Sequence, residues 1–573
     1  MKSENKICQN CKKDFTIEPD DFLFYEKIKV PAPTFCPECR VIRRMTWRNE
    51  RSLYKRKSDF SSKEIFSGYS KDSPVKILEN EIWYSDEWDS KKEGMELDFS
   101  KPFLNQFIGL HNNVPRPALG ILGMINSDYC NNASYSKNCY LVFSFIYCED
   151  CMYGNRLSHV KDSIDSFFVN KSDFIYEGFQ IDGCSRIFFS SLCKDSINIY
   201  FSKNLKNCHD CFACVNLNNK SFCIFNEQYK KEEYFEKIKE FKIESHYFLE
   251  EFKKEIHYFW LKFPNKYMAG YFNNNVQGEY INQSKNIKNS YNINGGEDIK
   301  YSQFLYSSKS KDTYDNTLWG EGLEKSYECL HVGMGINNAL FSADSWSSLN
   351  DIKYCVYCTS SSNLFGCVGI KNSEYCILNR QYTKEQYEEL VPKIIKHMSD
   401  MPYVDSLGRI YKYGEFFPSE LSPFCYNETI AQEYFPLTKE QAIAQGYKWK
   451  DKEERNYNID IYNIDIPDNI NDVNDDILDK IIECNHKGTC NQQCTEAFKI
   501  IPEELQFYKR MNLPLPRLCP NCRHYERLSQ RNPMKLWHRS CMKEGCSNEF
   551  ETSYAPERPE IVYCEKCYQG EVY

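Results

Sequence analysis

In the middle of the chain, short apolar runs alternate with polar turns at a nearly constant spacing. Each turn is rich in Asn, Asp and Lys, and each run consists of Cys, Tyr, Phe, Ile or Val. The turns recur roughly every eleven or twelve residues in 126–228 and mostly every thirteen in 266–382. Short strands at even spacing are typical of a parallel β-solenoid. We therefore predict two solenoid blocks, 126–228 and 266–382, with two steps in each coil of about 23 residues.

A longer repeat supports the division into two blocks. The 23 residues that begin at Phe212 match those that begin at Phe365 at twelve positions. Each copy continues into an amphipathic stretch, which predicts a helix that closes its block. These helices are expected at 229–265 and 383–398. A Pro-containing helical connector is predicted at 96–125, and a connector that ends in an acidic, solvated linker at 399–483.

The 29 cysteines fall into two groups. No secretory signal or long apolar run is visible at the N-terminus, so we expect a cytoplasmic protein with reduced thiols and no membrane contact. Cysteines in the solenoid region are interpreted as stacked core thiols, with an extra metal or cluster site as the alternative. The cysteines near the chain ends have ribbon spacing and predict three structural Zn(II) sites. Their ligands would be Cys8, Cys11, Cys36 and Cys39; Cys490, Cys494, Cys519 and Cys522; and Cys541, Cys546, Cys564 and Cys567.

The two chain ends are related to each other by duplication. Fourteen residues from Phe15 to Asn49 recur at an offset of 483, from Phe498 to Asn532. We predict zinc ribbons at 1–57, 484–532 and 533–573, the first followed by a basic helix. The segment 58–95 matches the last ribbon but lacks its cysteines, with non-cysteine residues near Asp59, Ser61, Glu79 and Ile82 instead. It is interpreted as a ribbon that has lost its metal. Cys484, with His486, is an alternative ligand pair, although a surface thiol is favoured.

The sequence CQNCKKDFTIEPDDFLFYEKIKVPAPTFCPECR closely resembles a zinc-ribbon module that ends in C-P-x-C-R. The order of ribbon, W-S-D-x-W segment, Cys/Tyr repeats and Y-F-P-L-T-K-E-x-A-x-x-x-G-Y-x-W resembles a family of bacterial multi-zinc-ribbon proteins over nearly the whole chain. The resemblance implies metal sites and architecture and no particular activity. The overall expectation is a mainly β protein with helical connectors, in which zinc ribbons at both ends flank two parallel β-solenoid blocks.

A basic strip follows each of the two duplicated ribbons. Residues 40–57 hold eight basic residues and one acidic residue, and 509–540 hold the same numbers. Arginine interleaved with aromatic residues is typical of phosphate contact and base stacking, so RNA or DNA is the leading ligand class. The alternatives are a protein partner and docking of the strips on this protein's own acidic linker. The residues proposed for nucleic-acid contact are Arg40, Arg43, Arg44, Trp47, Arg48, Arg51, Arg523, Arg527 and Arg531.

Other functions are less well supported by the sequence. The formal net charge of −9 excludes a global basic field. No phosphate-binding or dinucleotide-binding glycine motif and no H-E-x-x-H motif is present. Asp182, Asp344 and Asp351 are candidate carboxylates for a polysaccharide-acting enzyme but follow the rhythm of the turns. The sequence therefore predicts a zinc-binding adaptor, with two alternatives: a protein- or glycan-binding scaffold that uses the solenoid face, and a solenoid enzyme.

Overall fold

The structure, a computed structural model, describes residues 2–306, 309–453 and 456–572. It confirms the mainly β class and the two parallel β-solenoid blocks. The first block begins at Ile121, five residues before the predicted boundary, and the second begins at Gly270. Both blocks end in a short antiparallel strand that caps the last coil, Glu227–Gln228 in the first block and Arg380–Gln381 in the second.

Each coil of the first block contains 12 residues, half the predicted length. Ile187 is paired in parallel with Ile199, and Cys211 with Cys223. In the second block the partners are 11 to 14 residues apart. The prediction of two steps to a coil was wrong because each polar turn already closes one complete coil.

The short coil is made possible by a backbone period of three. From Asn126 to Phe225, every third residue has a positive φ, so each 12-residue coil turns at four corners. Side chains with a Cβ are disfavoured there, and Asn and Asp are the residues that tolerate the region best. Asn and Asp occupy many of the corners, and their side chains also bond from coil to coil, as from Asn138 Nδ2 to Asp150 Oδ1 (2.9 Å).

The residue after each corner points into the solenoid. This interior is narrow, so the inward positions hold small or slender side chains such as Cys184, Ile187, Ser190 and Cys193, all of them buried. Inward serines form hydrogen bonds with the backbone. Ser196 Oγ donates to the Lys194 carbonyl (2.7 Å) and accepts from the amide of Cys208 in the next coil. Among the described residues, no solenoid cysteine belongs to a group that could hold a metal. The cysteines of both blocks are therefore core thiols, as the sequence suggested.

Helices lie at the ends of the blocks and in the ribbons. The region 229–265 contains two helices where one was predicted, and 96–125 contains one helix followed by two short strands. The α-helices are α1 (Pro19–Lys27), α2 (Pro37–Met45), α3 (Asn80–Tyr84), α4 (Phe103–Asn113), α5 (Lys231–Lys237), α6 (His246–Trp260), α7 (Lys384–Asp400), α8 (Ile430–Tyr434), α9 (Lys439–Ala444), α10 (Pro502–Met511), α11 (Pro520–Ser529) and α12 (Glu565–Val572).

The longest strands of each block run through several corners and pair with the coils on both sides. In the first block the strands are Ile121–Leu122, Asn131–Ser134, Phe143–Ile146, Glu149–Met152, Asn155–Ile164, Phe167–Tyr176, Phe179–Asp182, Ser185–Phe188, Ile197–Tyr200, Lys203–Lys206, His209–Phe212, Val215–Asn218, Ser221–Ile224 and Glu227–Gln228. In the second block they are Gly270–Tyr271, Asn274–Asn282, Lys285–Asn294, Glu297–Lys300, Gln303–Leu305, Lys311–Trp319, Glu324–Gly333, Asn337–Leu340, Ala343–Trp346, Asn350–Lys353, Ser362–Phe365, Glu374–Ile377 and Arg380–Gln381.

Four short β-hairpins form the ribbons outside the blocks. Their strands are Glu4–Ile7 with Asp14–Ile17, Tyr54–Lys57 with Glu64–Ser67, Ile482–Glu483 with Ala497–Phe498, and Trp537–Ser540 with Glu549–Thr552. Short bridging pairs are Ile77–Leu78 with Arg116–Pro117, Asn265–Lys266 with Val562–Tyr563, and Tyr403–Val404 with Ile410–Tyr411. The second of these pairs ties the last ribbon to the start of the second block.

The acidic segment before the third ribbon differs from the expected solvated linker. Ile466, Ile470, Val473 and Ile477 are buried in one cluster with α6 and α10. Isoleucine and valine alternate with the acids in this segment, so one side can pack while the carboxylates stay in water. The segment therefore fastens the third ribbon to the end of the first block.

Candidate metal centres and ligand cleft

Three groups of four thiols could each hold a metal ion. We call them the N-terminal cluster (Cys8, Cys11, Cys36, Cys39), the middle cluster (Cys484, Cys494, Cys519, Cys522) and the C-terminal cluster (Cys541, Cys546, Cys564, Cys567). A tetrahedral Zn–thiolate site with bonds of about 2.3 Å has sulfur–sulfur edges of about 3.8 Å. The sulfur–sulfur separations, such as Cys11–Cys36 at 3.7 Å and Cys546–Cys564 at 4.0 Å, fit that geometry.

All three clusters are built in the same way. The first cysteine directly follows a hairpin strand, and its sulfur accepts a hydrogen bond from the backbone amide of the third cysteine. These bonds join Cys36 N to Cys8 Sγ (3.2 Å), Cys519 N to Cys484 Sγ (3.2 Å), and Cys564 N to Cys541 Sγ (3.3 Å). An amide donor stabilises a thiolate, the form of cysteine that binds metal.

The middle cluster differs from the predicted ligand set, because Cys484 takes the place given to Cys490. The amide of Cys484 donates to the carbonyl of Glu496 (2.7 Å), as that of Cys8 donates to Lys13 (2.9 Å). Cys484 is also completely buried, so the interpretation as a surface thiol was wrong. Sequence spacing favoured Cys490 because the loop before Cys494 is longer than its N-terminal counterpart. Cys490 nevertheless lies beside the cluster, with its sulfur 3.7 Å from that of Cys522.

The second hairpin carries hydrogen bonds where the other ribbons carry thiols. Ser58 follows the strand as Cys8 and Cys541 do, and its amide donates to the Lys63 carbonyl (2.9 Å). Its hydroxyl donates to Glu79 Oε2 (2.5 Å), and Ser61 donates to the other oxygen of Glu79. In this ribbon, two hydroxyls and one carboxylate therefore join the segments that a metal would join elsewhere.

The basic strip after the N-terminal ribbon is buried against the second block. Helix α2 lies on the strands that contain Asp315 and Glu328. Arg40 and Arg44 both pair with Asp315, at 2.9 and 3.2 Å, and Arg43 pairs with Glu328 at 2.7 Å. These three arginines are at most 2% exposed. The strip is therefore an internal contact surface rather than an exposed surface for phosphate.

The other three residues of this strip that were proposed for nucleic-acid contact are also engaged inside the protein. Trp47 is buried, with its ring 5.0 Å from that of Phe417. Arg48 donates to Asp344 (2.7 Å) in the second block. The guanidinium of Arg51 lies 4.6 Å from the ring of Phe143 in the first block.

The strip after the third ribbon is buried against the first block. Arg523 and Arg527 of α11 pair with the two oxygens of Asp165, at 2.6 and 2.7 Å. Arg531 lies over the ring of Tyr434, 4.4 Å from its centroid. The sequence suggested docking on the acidic linker as an alternative to nucleic acid. The structure shows these arginines docked mainly on acids of the solenoids, while Lys509 of the second strip pairs with Asp475 of the acidic linker at 2.7 Å.

A large open cleft lies between the two solenoid blocks, with a volume of about 1680 Å³. The blocks contact each other beside it, where Phe168 stacks on Phe304 (5.8 Å) and Gln180 Nε2 donates to Asn292 Oδ1 (2.8 Å). Small-molecule pockets usually measure about 300–1,000 Å³. The cleft therefore has room for an extended ligand.

The first-block wall of the cleft is a ladder of aromatic rings and amides. Tyr135 and Tyr147 stand one coil apart with their rings 5.5 Å apart and nearly parallel, and His159 continues the row at 4.9 Å. Both tyrosines are about half exposed, at 51% and 50%. A second row of the same wall joins Asn204 Nδ2 to Asn216 Oδ1 (2.8 Å). The rows repeat with the coil, so equivalent contacts recur along the cleft.

The second-block wall contributes indoles and a buried polar group. Trp319, Trp346 and His331 line it, and the Trp319 ring lies 5.3 Å from that of His331. His331 Nδ1 lies 3.0 Å from the Asp344 oxygen that accepts from Arg48. Burial lowers the pKa of His331, and the positive charge of Arg48 lowers it further. Near pH 7 this imidazole is therefore neutral.

The lysines that line the cleft already have partners. Lys194 lies 3.8 Å from the centre of the Tyr271 ring, and Lys206 lies 5.7 Å from that of Phe272. Lys266 pairs with Glu565 at 2.7 Å. Lys203 donates to Asn265 Oδ1 (2.9 Å), and burial lowers its pKa to about 8. Rings and amides do not neutralise an ammonium group, so the cleft carries lysine charges beside the acids Asp182, Glu321 and Asp344.

Of the three candidate carboxylates, Asp182 and Asp344 line the cleft. Asp351 does not line it; it accepts a hydrogen bond from Asn338 (2.6 Å) in a ladder between coils.

Fold and site together define a β-solenoid protein with three four-thiol clusters and a cleft between its two blocks. No protein-family model matches the chain, and no curated protein is similar to it. Among the described residues, no helix has both the length and the apolar character needed to cross a membrane. The resemblance to bacterial multi-zinc-ribbon proteins and the cytoplasmic location therefore stay predictions.

Proposed function

We propose that this protein binds an uncharged oligosaccharide in the cleft between its solenoid blocks and that zinc ions in its three four-thiol clusters hold the ribbons folded. The observation that carries the proposal is the open cleft, lined on both walls by exposed rings and amides. The proposal develops the alternative of a glycan-binding scaffold, since the arginines proposed for nucleic-acid contact are buried or partly buried.

The lining favours sugars on chemical grounds. A sugar ring has an apolar C–H face and a rim of hydroxyl groups. Exposed rings such as Tyr135 and Tyr147 can contact the apolar face, and their rigidity limits the entropy lost on binding. An amide such as that of Asn275, which is exposed in the cleft, can offer donors and acceptors to hydroxyls. Acids and lysines both line the cleft, so it presents no single sign of charge that would attract a polyanion.

The spacing of the wall also favours an extended ligand. Neighbouring coils of a solenoid are about 4.8 Å apart. That distance is comparable to the length of one sugar residue in an extended chain. A row of rings one coil apart can therefore contact successive sugars, and solenoids commonly use such extended surfaces for binding.

Zinc is proposed from the donor set. Four thiolates at tetrahedral spacing with no vacant ligand position are typical of structural zinc. The ribbons are too small to bury a sufficient core, so the metal would supply their folding free energy. The first and third ribbons position α2 and α11 against the blocks that form the cleft walls. Metal in the ribbons would therefore support the walls without contacting the ligand.

The test is a glycan-array screen followed by calorimetry with neutral oligosaccharides of increasing length. We expect affinity to rise with length until the cleft is filled. The double variant Tyr135→Ala and Tyr147→Ala should weaken binding by about tenfold to a hundredfold, because each ring contact contributes about 1 kcal/mol. Tyr258→Ala is the matched control, since this tyrosine is 68% exposed on α6 and lies outside the cleft.

Other outcomes would replace the proposal. Binding to no glycan, or equal binding by the wild type and the double variant, would contradict the proposal that the cleft binds an oligosaccharide. Binding to single-stranded RNA that weakens steeply with salt would restore the nucleic-acid hypothesis with the cleft as its site. Shortened oligosaccharides after incubation would instead favour the polysaccharide-acting enzyme.

A further inference from the structure

The loop between the first two ligands of the middle cluster is longer than its counterparts and carries two extra metal-binding side chains. Nine residues separate Cys484 from Cys494, where two separate Cys8 from Cys11. The hairpins around the two loops are equivalent, so the additional residues form an insertion between the first and second ligands. His486 and Cys490 lie in this insertion.

The insertion folds back onto the middle cluster. Cys490 Sγ lies 3.7 Å from Cys522 Sγ, although Cys522 already belongs to the four-thiol group. His486, Cys490 and Cys522 place their ligand atoms within 4.8 Å of one another. The middle cluster and the group of His486, Cys490 and Cys522 therefore share one sulfur atom, that of Cys522.

A second observation points to a ligand between these three residues. The Nδ1 atom of His486 is buried and has no hydrogen-bond partner in the described part of the chain. A buried polar atom without a partner costs about 1–3 kcal/mol, so such atoms call for an explanation. Coordination of a metal ion would satisfy this nitrogen.

We propose that a second metal ion binds here, held by His486, Cys490 and Cys522, with the Cys522 thiolate bridging it to the ion of the middle cluster. This inference rests on the proposed zinc content of that cluster. Five thiolates around a single dication would leave an excess charge of −3, and a second dication reduces it to −1. Imidazole and thiolate together suit Zn(II).

The proposed ion would differ from the other three in its coordination. Three protein ligands leave a fourth position for water or an exchangeable ligand, as in zinc sites that are open to solvent. The three ions in four-thiol clusters have no such position. The additional ion should therefore bind more weakly and exchange faster than the other three.

The experiment counts metal ions in the full-length chain and follows Co(II) substitution by its visible absorption. We expect four ions per chain, with three resisting a mild chelator and the fourth removed first. Added imidazole should change the absorption of the fourth Co(II) only. His486→Ala and Cys490→Ser should each retain three ions and lose the weakly bound one.

Cys425→Ser is the matched control, because Cys425 is a partly buried thiol outside every candidate metal group. It should retain four ions. A wild-type protein that binds three ions, together with three in Cys490→Ser, would overturn the second site while leaving the zinc clusters intact. Fewer than three ions in the wild type would instead contradict the zinc assignment of the clusters. Retention of three ions in the variants also shows that they are folded.

Discussion

The two ends of the chain dock related helices onto related solenoid blocks, but through ion networks of different size. At the N-terminal end, three arginines of α2 face three acids: Arg40, Arg43, Arg44 and Asp315, Glu328, Glu415. At the C-terminal end, two arginines of α11 face two acids: Arg523, Arg527 and Asp165, Glu504. In both networks the charges balance, and every member is almost completely buried.

The duplication explains why the two networks are alike. Arg40 and Arg44 correspond to Arg523 and Arg527 at the offset of 483. In each network, the first arginine of the pair also lies over a tyrosine ring of the solenoid. Arg40 lies 5.3 Å from the Tyr301 ring, and Arg523 lies 4.4 Å from the Tyr153 ring. A ribbon, its basic helix and a solenoid acid thus form one docking unit that occurs twice. A basic helix beside a ribbon can therefore hold the ribbon against the rest of the protein instead of binding an external ligand.

The largest expected effect comes from removing the metal ion of one docking unit while leaving the other unit intact. Cys36→Ser should remove one metal ion and unfold the N-terminal ribbon, since structural zinc supplies about 10 kcal/mol or more of folding free energy in small ribbons. Hydrogen exchange should then rise in 1–50 and remain low in α11. Cys193→Ser is the control, because inward serines already occur in this block, and it should keep every ion. A fully protected N-terminal ribbon in Cys36→Ser would contradict the role of the metal.

The next effect distinguishes the two ion networks. Asp165→Ala leaves two arginines to share Glu504, whereas Asp315→Ala leaves Glu328 and Glu415 near the N-terminal arginines. We expect Asp165→Ala to lower the free energy of unfolding by about 3–5 kcal/mol, the usual result of removing one partner from a buried pair. Asp315→Ala should lower the free energy of unfolding by a smaller amount.

Urea unfolding of both variants measures this difference. Asp312→Ala serves as the surface control, because the side chain of its partner Lys27 is 45% exposed and surface pairs contribute about 0–1 kcal/mol. Equal losses in Asp165→Ala and Asp315→Ala would show that the size of the network does not matter.

A smaller, pH-dependent effect comes from the fourth ribbon, which docks through a carboxyl group and lacks an arginine network. Glu279 of the second block accepts from Ser553 and from the Ala269 amide (2.9 Å), and burial raises its pKa to about 7. Because the pKa is higher in the folded state than in the unfolded chain, its contribution to stability is greatest below pH 4.5. It falls by about 3 kcal/mol as the pH rises to about 7.

Glu279→Gln tests this directly, because the amide cannot ionise. The difference in unfolding free energy between wild type and variant should change between about pH 4.5 and pH 7 and be constant outside that range. A constant difference across the whole range would mean that the pKa of Glu279 is the same in the folded and the unfolded protein.

Much of the architecture follows from the sequence, and the parts that do not have physical reasons. The rhythm of polar turns predicted the solenoid, but the coil length depended on the left-handed corners, which leave no strong signature of their own. A period of three was nevertheless visible, because Cys130, Cys139, Cys148 and Cys151 are separated by multiples of three. Spacing identified eleven of the twelve thiols in the clusters and missed Cys484, because an insertion separates it from its partner.

The fate of the basic strips could not be read from composition. Arg43 and Arg44 look the same in sequence whether they face phosphate or a buried acid. Asp315 and Glu328, which neutralise them, lie more than 250 residues away and resemble ordinary corner residues. The cleft could not be predicted from the sequence either, because its walls come from two blocks whose relative placement no local pattern encodes.

The smallest expected effect concerns the ribbon without cysteines, where hydrogen bonds replace a metal. Glu79→Ala removes the acceptor for Ser58 and Ser61, and a pair of partly exposed hydrogen bonds contributes about 1–2 kcal/mol. We therefore expect a small loss of stability with no change in metal content, which urea unfolding and metal analysis would measure. Glu64→Ala, at an exposed pair with Lys55 in the same hairpin, is the control. Unfolding of this ribbon on the scale of Cys36→Ser would mean that Glu79 carries as much of its stability as a metal does in the others; a small loss would mean that packing against Ala118 and Phe424 already holds it.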